Sequence, residues 1–266
     1  MDKDLDHLLV KMVAAARRAG SFIRNRANRL ESAQIETKGV HDLVTYVDRE
    51  AERMLVEDLK DLLPEAAFFT EEKTVARSQA PWQWVIDPLD GTTNFIHGIP
   101  VFSVSLALIH YQKPIAAVVY EIVRDDCFEA RKGGGTRLNG KPVSVSERSR
   151  LSDSLLATGF PYHDYSRMEA FINMFRWCML NSRGLRRLGS AAVDLAYVAC
   201  GRFDGFFEYG LNPWDVAAGV LLVEEAGGKV SDYRGGDNAI FGREVLAANP
   251  LIYPALLRRT REIHQD

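Results

Sequence analysis

Four acidic residues each close or border an apolar run: Glu71 in "AFFTEE", Asp87 and Asp90 in "WVIDPLDGTTNF", and Asp215 in "PWDVAAG". That placement puts carboxylates at the edge of a hydrophobic core, where an ionised group without a partner is costly. No Lys or Arg cluster lies beside them in sequence, so a divalent cation is the expected counter-charge. With oxygen donors only, and no His or Cys among them, Mg²⁺ or Mn²⁺ is favoured over Zn²⁺. Directly after the aspartates, Gly91-Thr92-Thr93-Asn94 offers lightly covered backbone amides and two hydroxyls. Amides at such a turn or helix start bind phosphate. Carboxylate-held metal beside a phosphate cradle is the equipment for metal-assisted hydrolysis of a phosphate ester. Taken singly, Asp-x-x-Asp reads as a turn and cap pair, Glu71-Glu72 as a strand end, and Asp215 as an acidic first-turn residue. Their conjunction with "GTTNF" carries the chemistry.

Other features are weaker. "RKGGGTRLNGKP" lacks the Gly-Lys-Ser/Thr ending of a phosphate loop and reads as a hairpin turn. The six histidines show no metal-site spacing, and His97 reads as structural. Arg183, Arg186 and Arg187 in "RGLRR" read as a solvated or interface group, and no Gly-x-Ser-x-Gly occurs. Glu208 ends the aromatic run "GRFDGFFE", seven residues before Asp215. It is expected to flank the same pocket and to favour neutral hydroxyls over a second phosphate.

The elements that position these groups follow from periodicity. Leu5, Leu8, Leu9, Met12, Val13, Ala16 and Phe22 form one face of an N-terminal helix. A second helix spans Thr45 to Leu62 before Pro64. "AFFTEE" is a short strand reaching Glu71 and Glu72, and "WQWVID" a strand that Pro88 should stop. Phe102 to Val145 reads as a β-meander. Strands and helices then alternate: "SLLATGF", a helix from Arg167 to Leu180, "GLRRLG", a helix from Ser190 to Cys200, "RFDGFFEYG" and a helix from Pro213 to Ala226. Two strands and a helix from Pro250 complete the chain. The result is layered α/β with mixed or antiparallel sheets. "SVSERSRLSDS" divides residues 1–150, an α+β half with the metal-binding carboxylates, from residues 151–266, an α/β half; the active site lies between them in one compact unit.

Composition bounds the rest. The 266 residues are 47% hydrophobic and 26% charged, an ordinary globular balance. A net charge of -3 gives no generic nucleic-acid surface. Three separated cysteines without a Cys-x-x-Cys pair suggest neither disulfides nor zinc, so cytoplasm is the expected compartment. The N-terminal stretch is too acidic for a signal peptide, and no apolar run is long enough to span a bilayer.

"DPLDGTTNF" resembles the first signature of the inositol monophosphatase family, and "PWDVAAGVLLVEEAGG" its second. The likeness extends through "KGVHDLVTYVD", Glu71-Glu72, "GFPY", "RRLGSAA" and "GRFDGFFE" in the family's order. It implies a five-layered αβαβα sandwich of the inositol monophosphatase and fructose bisphosphatase type. It implies two to three Mg²⁺ ions: Glu71, Asp87 and the Leu89 carbonyl at the first, Asp87, Asp90 and Asp215 at the second, and Glu71 helping with a third. Glu71 and Thr92 would orient the attacking water, with Lys38 and Asp48 in the loop and helix start that cover the site. The amides of Gly91 and Thr92 would hold phosphate. Asp90, Ala191 and Glu208 would meet substrate hydroxyls, and Asp215 the ester oxygen. Where the family usually has glycine before the paired glutamates, this chain has Thr70. The implied activity is hydrolysis of inositol 1-phosphate or another small polyol or sugar phosphate, with sensitivity to Li⁺, in a homodimer. Phosphatases for another sugar, nucleotide or histidinol phosphate, and a non-catalytic regulatory protein on the same fold, are the alternatives. Nucleic acid and membrane are not expected partners.

Overall fold

In the computed structural model the described residues are 5–27, 35–39, 42–76, 78, 80–160 and 164–263, with backbone alone for 35–39 and 42–44. The chain runs α1 (Leu5–Arg24), β1 (Ile35–Gly39), β2 (Asp42–Thr45), α2 (Tyr46–Lys60), β3 (Ala67–Thr70), β4 (Trp82–Asp90), α3 (Thr92–Ile96), β5 (Ser103–His110), β6 (Lys113–Glu121) and β7 (Asp126–Arg131). It continues β8 (Thr136–Leu138), β9 (Lys141–Val143), β10 (Leu155–Thr158), α4 (Met168–Asn181), β11 (Gly184–Arg186), α5 (Ala191–Ala199), β12 (Gly205–Tyr209), α6 (Pro213–Glu225), β13 (Lys229–Ser231), β14 (Glu244–Ala248) and α7 (Tyr253–Ile263). Besides the β1–β2 ribbon there are a seven-stranded sheet, β3 to β9 in sequence order, and a five-stranded sheet ordered β11-β10-β12-β14-β13.

Side-chain alternation builds the layers. On β4, Trp84 and Ile86 pack with Met12 of α1 and Leu55 of α2, while Val85 packs with Leu195 of α5 and Val216 of α6. On β12, Phe206 joins that same α5–α6 core, and Phe207 faces the other way onto Phe171 of α4 and Leu256 of α7. The five layers are therefore α1/α2, the large sheet, α5/α6, the small sheet and α4/α7. The middle helices are covered on both sides, so α6 is buried continuously from Val216 to Val223.

Four expectations are corrected. Pro88 does not end its strand: β4 runs through it, with Asp87 opposite Ser105 and Asp90 opposite Ser103. Three steps on β4 match two on β5, a β-bulge, and a bulge tolerates a proline that cannot donate to the ladder. The strand before Glu71 stops at Thr70, leaving Glu71 and Glu72 in a bend. "RKGGGTRLNGKP" contains two turns around the short β8, not one hairpin turn. The last helix starts at Tyr253, because Asn249 Oδ1 accepts from the amides of Leu251 at 2.9 Å and Ile252 at 3.1 Å and holds that segment as a turn. No helix of the described residues is long and apolar enough to cross a membrane.

Candidate active site

The bulge decides where the two aspartates point. Residues three apart on a regular strand face opposite ways, but the extra residue returns Asp90 to the side of Asp87, toward α5 and α6. Asp87 Oδ1 accepts from the Leu89 amide at 2.9 Å, which closes the turn around Pro88. Asp90 Oδ2 accepts from Ser190 Oγ at 2.6 Å and the Ala192 amide at 2.8 Å, docking the carboxylate on the N-terminus of α5. Asp215 sits in the first turn of α6, and its Oδ2 accepts from the Asn212 amide at 2.7 Å in a capping box. Glu71 follows β3, paired in parallel with β4, and shares a hydrogen bond with Asp87.

Gly91 bridges β4 and α3 with φ of +96°, in the left-handed region. A Cβ there would stand 3.1 Å from the Val101 carbonyl oxygen and 3.3 Å from that of Gly189, so conformation and space both require glycine. Asn94 Nδ2 donates to the carbonyls of Val101 at 2.7 Å and Leu188 at 2.8 Å, tying α3 to the segment before α5. The Thr92 hydroxyl lies 2.8 Å from Asp48 Oδ1 and 3.0 Å from the Leu89 carbonyl oxygen. Asp48 is fixed in turn by the Thr45 amide at 2.8 Å and hydroxyl at 2.6 Å, in the capping box of α2.

These groups share one pocket of about 280 Å³, lined by Glu71, Asp87, Leu89, Asp90, Gly91, Thr92, Ala191, Glu208 and Asp215 among others. Asp48 stands behind Thr92, buried rather than lining the pocket. Lys38 and Tyr162 lie where no side chain is described. His97 is exposed at the end of α3, outside the pocket. Period-2 alternation puts Glu208 on the face of Phe206, toward the middle layer.

Two pocket residues escaped sequence reasoning. Arg187, read with its neighbours as a surface or interface group, instead lines the pocket with its guanidinium carbon 5.3 Å from the Phe160 ring centroid; Arg186 remains exposed. Asp194 on α5 is 1% exposed, and its Oδ1 has no hydrogen-bond partner. The signal for Asp194 was a single acid inside the apolar run "AAVDLAYVA".

The described pocket lining carries six acids (Glu71, Asp87, Asp90, Asp194, Glu208, Asp215) against Lys73 and Arg187. Burial raises Asp87 well above the usual carboxylate range, and Glu71, Asp90 and Asp215 add to the rise. Asp90 is pushed up to about 6 by burial against the pull of Ser190, and Asp215 to about 7 by burial with Asp90 adding. Burial likewise raises Glu208 and Asp194 well above the ordinary range, and raises Asp48 despite its hydrogen bonds. Among the described residues no three His, Cys, Asp or Glu side chains are drawn into a ready-made ion cage. Glu71 and Asp87 share a hydrogen bond, Asp90 accepts from a hydroxyl and a backbone amide, and Asp215 accepts from a backbone amide. An all-oxygen set of buried, mutually repelling carboxylates fits a hard divalent cation.

The family model for the inositol monophosphatases matches residues 4–265. The chain belongs to the inositol monophosphatase family. Within this family, an inositol-1-monophosphatase of Mesorhizobium japonicum is 41% identical over 96% of this chain and 96% of that protein. The Nus factor SuhB of Pseudomonas aeruginosa is 44% identical over 91% of this chain and 92% of its own. The crystal structure of the extragenic suppressor protein suhB from Bartonella henselae superposes with a TM-score of 0.91 at 38% identity, over 96% of this chain and 99% of that one.

Proposed function

We propose that this protein hydrolyses small phosphomonoesters in a Mg²⁺-dependent reaction, with polyol monophosphates, inositol 1-phosphate first, as substrates. The observation that carries this reading is the β4 bulge, which turns Asp87 and Asp90 to one side, beside Glu71 and Asp215. Glu71, Asp87 and the Leu89 carbonyl would hold one ion, and Asp87, Asp90 and Asp215 a second, with Glu71 reaching toward a third. Bound there, Mg²⁺ would lower the pKa of water and neutralise charge on the ester. The chain's own groups do the rest. The amides of Gly91 and Thr92 hold the phosphate. With its proton directed to Asp48, the Thr92 oxygen presents a lone pair that orients the attacking water together with Glu71. Asp90, Ala191 and Glu208 meet the hydroxyls of the leaving group, and Lys38 belongs to the covering loop.

Sensitivity to Li⁺, a homodimeric state, a cytoplasmic location, the absence of nucleic-acid binding and a division into residues 1–150 and 151–266 with the pocket between them are part of the same reading. The name Nus factor, carried by several relatives at 42–44% identity, favours a second reading, a regulatory protein on this fold. Phosphate release from a panel of polyol, sugar, nucleotide and histidinol phosphates, with Mg²⁺ and with EDTA, separates the two. Mg²⁺-dependent turnover that Asp87→Asn abolishes is expected. Release unchanged by EDTA or by Asp87→Asn would remove the metal site, and no release from any ester would leave the regulatory reading.

A further inference from the structure

Helix α2 presents two carboxylates to the core, Asp48 and Glu52, one turn apart on the face that also buries Ala51 and Leu55. Asp48 holds Thr92. Glu52 is fully buried, and among the described residues no Lys or Arg pairs with it. Its charge is met instead by three donors from one loop: Oε2 accepts from the Glu72 amide at 2.7 Å, and Oε1 accepts from the Thr74 amide and hydroxyl, each at 2.7 Å. Hydrogen bonds to an ionised acceptor are the strong ones, and a buried acid in place of an apolar residue is tolerated only with such donors.

The loop needs holding. Residues 71–76 form no helix or strand, and Lys73 adopts φ of +55°, which a side-chain-bearing residue rarely takes. The Glu71 amide ties the start of the loop to the large sheet, donating to the Ile86 carbonyl at 3.2 Å. Resting on the reading of Glu71 as a metal ligand, we infer that Glu52 is a positioning residue: it locks the Glu71–Thr74 segment so that the Glu71 carboxylate stays against Asp87. One face of α2 thereby sets both the hydroxyl that faces the water and the carboxylate that faces the cation.

Glu52→Gln tests this without changing side-chain shape. The amide oxygen can still accept from Thr74, but the amide nitrogen then opposes the Glu72 N–H, donor against donor. Two readouts are used: Mn²⁺ binding to metal-stripped protein by calorimetry, and the Mg²⁺ concentration that half-saturates phosphate release. Both are expected to shift about 10–100-fold, as for partners that orient ligands from behind. Thr74→Val, which loses one of the three bonds and leaves the carboxylate in place, should shift them in the same direction by less. Asp204→Asn is the control. Asp204 is a buried carboxylate accepting from the Leu155 amide at 2.7 Å and from Ser146 and Arg148, outside the pocket lining. It should lower the melting temperature and leave ion affinity unchanged. Wild-type ion affinity in Glu52→Gln, or an equal loss in Asp204→Asn, would overturn the inference while the metal site stands. No ion binding by the wild type would remove the metal-site reading itself and this role with it.

Discussion

Thr92 and Asp48 are joined by a 2.8 Å hydrogen bond across a sequence separation of 44 residues, from the first turn of α3 to the first turn of α2. The same hydroxyl lies 3.0 Å from the Leu89 carbonyl oxygen. A proton facing two acceptors is held more strongly by the charged one, so Asp48, with the shorter contact, fixes the hydroxyl.

Thr92→Val should therefore lower kcat by about 10²-fold, the size of a lost proton-positioning contact, with a smaller change in KM. The valine keeps the shape, but the buried Asp48 Oδ1 loses its donor, so stability should also fall by about 1–3 kcal/mol. Steady-state kinetics on inositol 1-phosphate check this. A mutant with raised KM and unchanged kcat would place Thr92 in binding alone.

The buried acids make stability depend on pH in a definite direction. A carboxyl whose folded pKa is raised keeps its proton when the unfolded chain has lost it, so its contribution is full at low pH and fades as pH rises. The window opens near the ordinary carboxylate value and closes at about 6 for Asp90 and about 7 for Asp215. Within it each such acid costs about 1.4 kcal/mol per pH unit. Metal-free protein should thus melt lower at about pH 8 than at about pH 5.5, and Mg²⁺ should raise the melting temperature more at the higher pH. Asp194→Asn, which removes a buried acid with an unpartnered oxygen, should flatten the metal-free slope. Equal Mg²⁺ shifts at both pH values would count against cation binding by these carboxylates.

Gly159 directly follows β10, where the Glu208 carboxylate occupies the space of a Cβ. The obstructing atoms are the tip of a flexible side chain, so Gly159→Ala should fold and push Glu208 aside. Like Glu208→Gln, it should cut turnover of inositol phosphates more than of an aryl phosphate without hydroxyls. Equal losses on both esters would remove Glu208 from the leaving-group side.

Much of this was legible in one dimension. The apolar stripe of α2 with its Thr45 cap, the helix opened by Pro213 and the meander after Phe102 follow from local periodicity and punctuation. The carboxylates stood out because acids ending apolar runs are expensive wherever they fold. Glu52 was not legible, since an acid inside a helical stripe looks the same in sequence whether it meets solvent, a loop or a pocket; Asp194 left only the trace of a lone acid in an apolar run. Arg187 looked like its exposed neighbour Arg186 until the loop before α5 turned it inward.

What the chain determined by itself was the inventory: an oxygen-rich donor set, a glycine turn with lightly covered amides, and alternating helices and strands of a layered α/β fold. What only the tertiary structure decided was direction. Pro88 alone reads as a stop, but pairing along β5 supplies enough ladder bonds to carry the strand past it as a bulge. That one extra residue turns Asp90 to the side of Asp87, and the middle helices then bring Asp215 and Ala191 to meet them. Such convergence depends on register between strands and on packing across layers, and neither is written in local spacing.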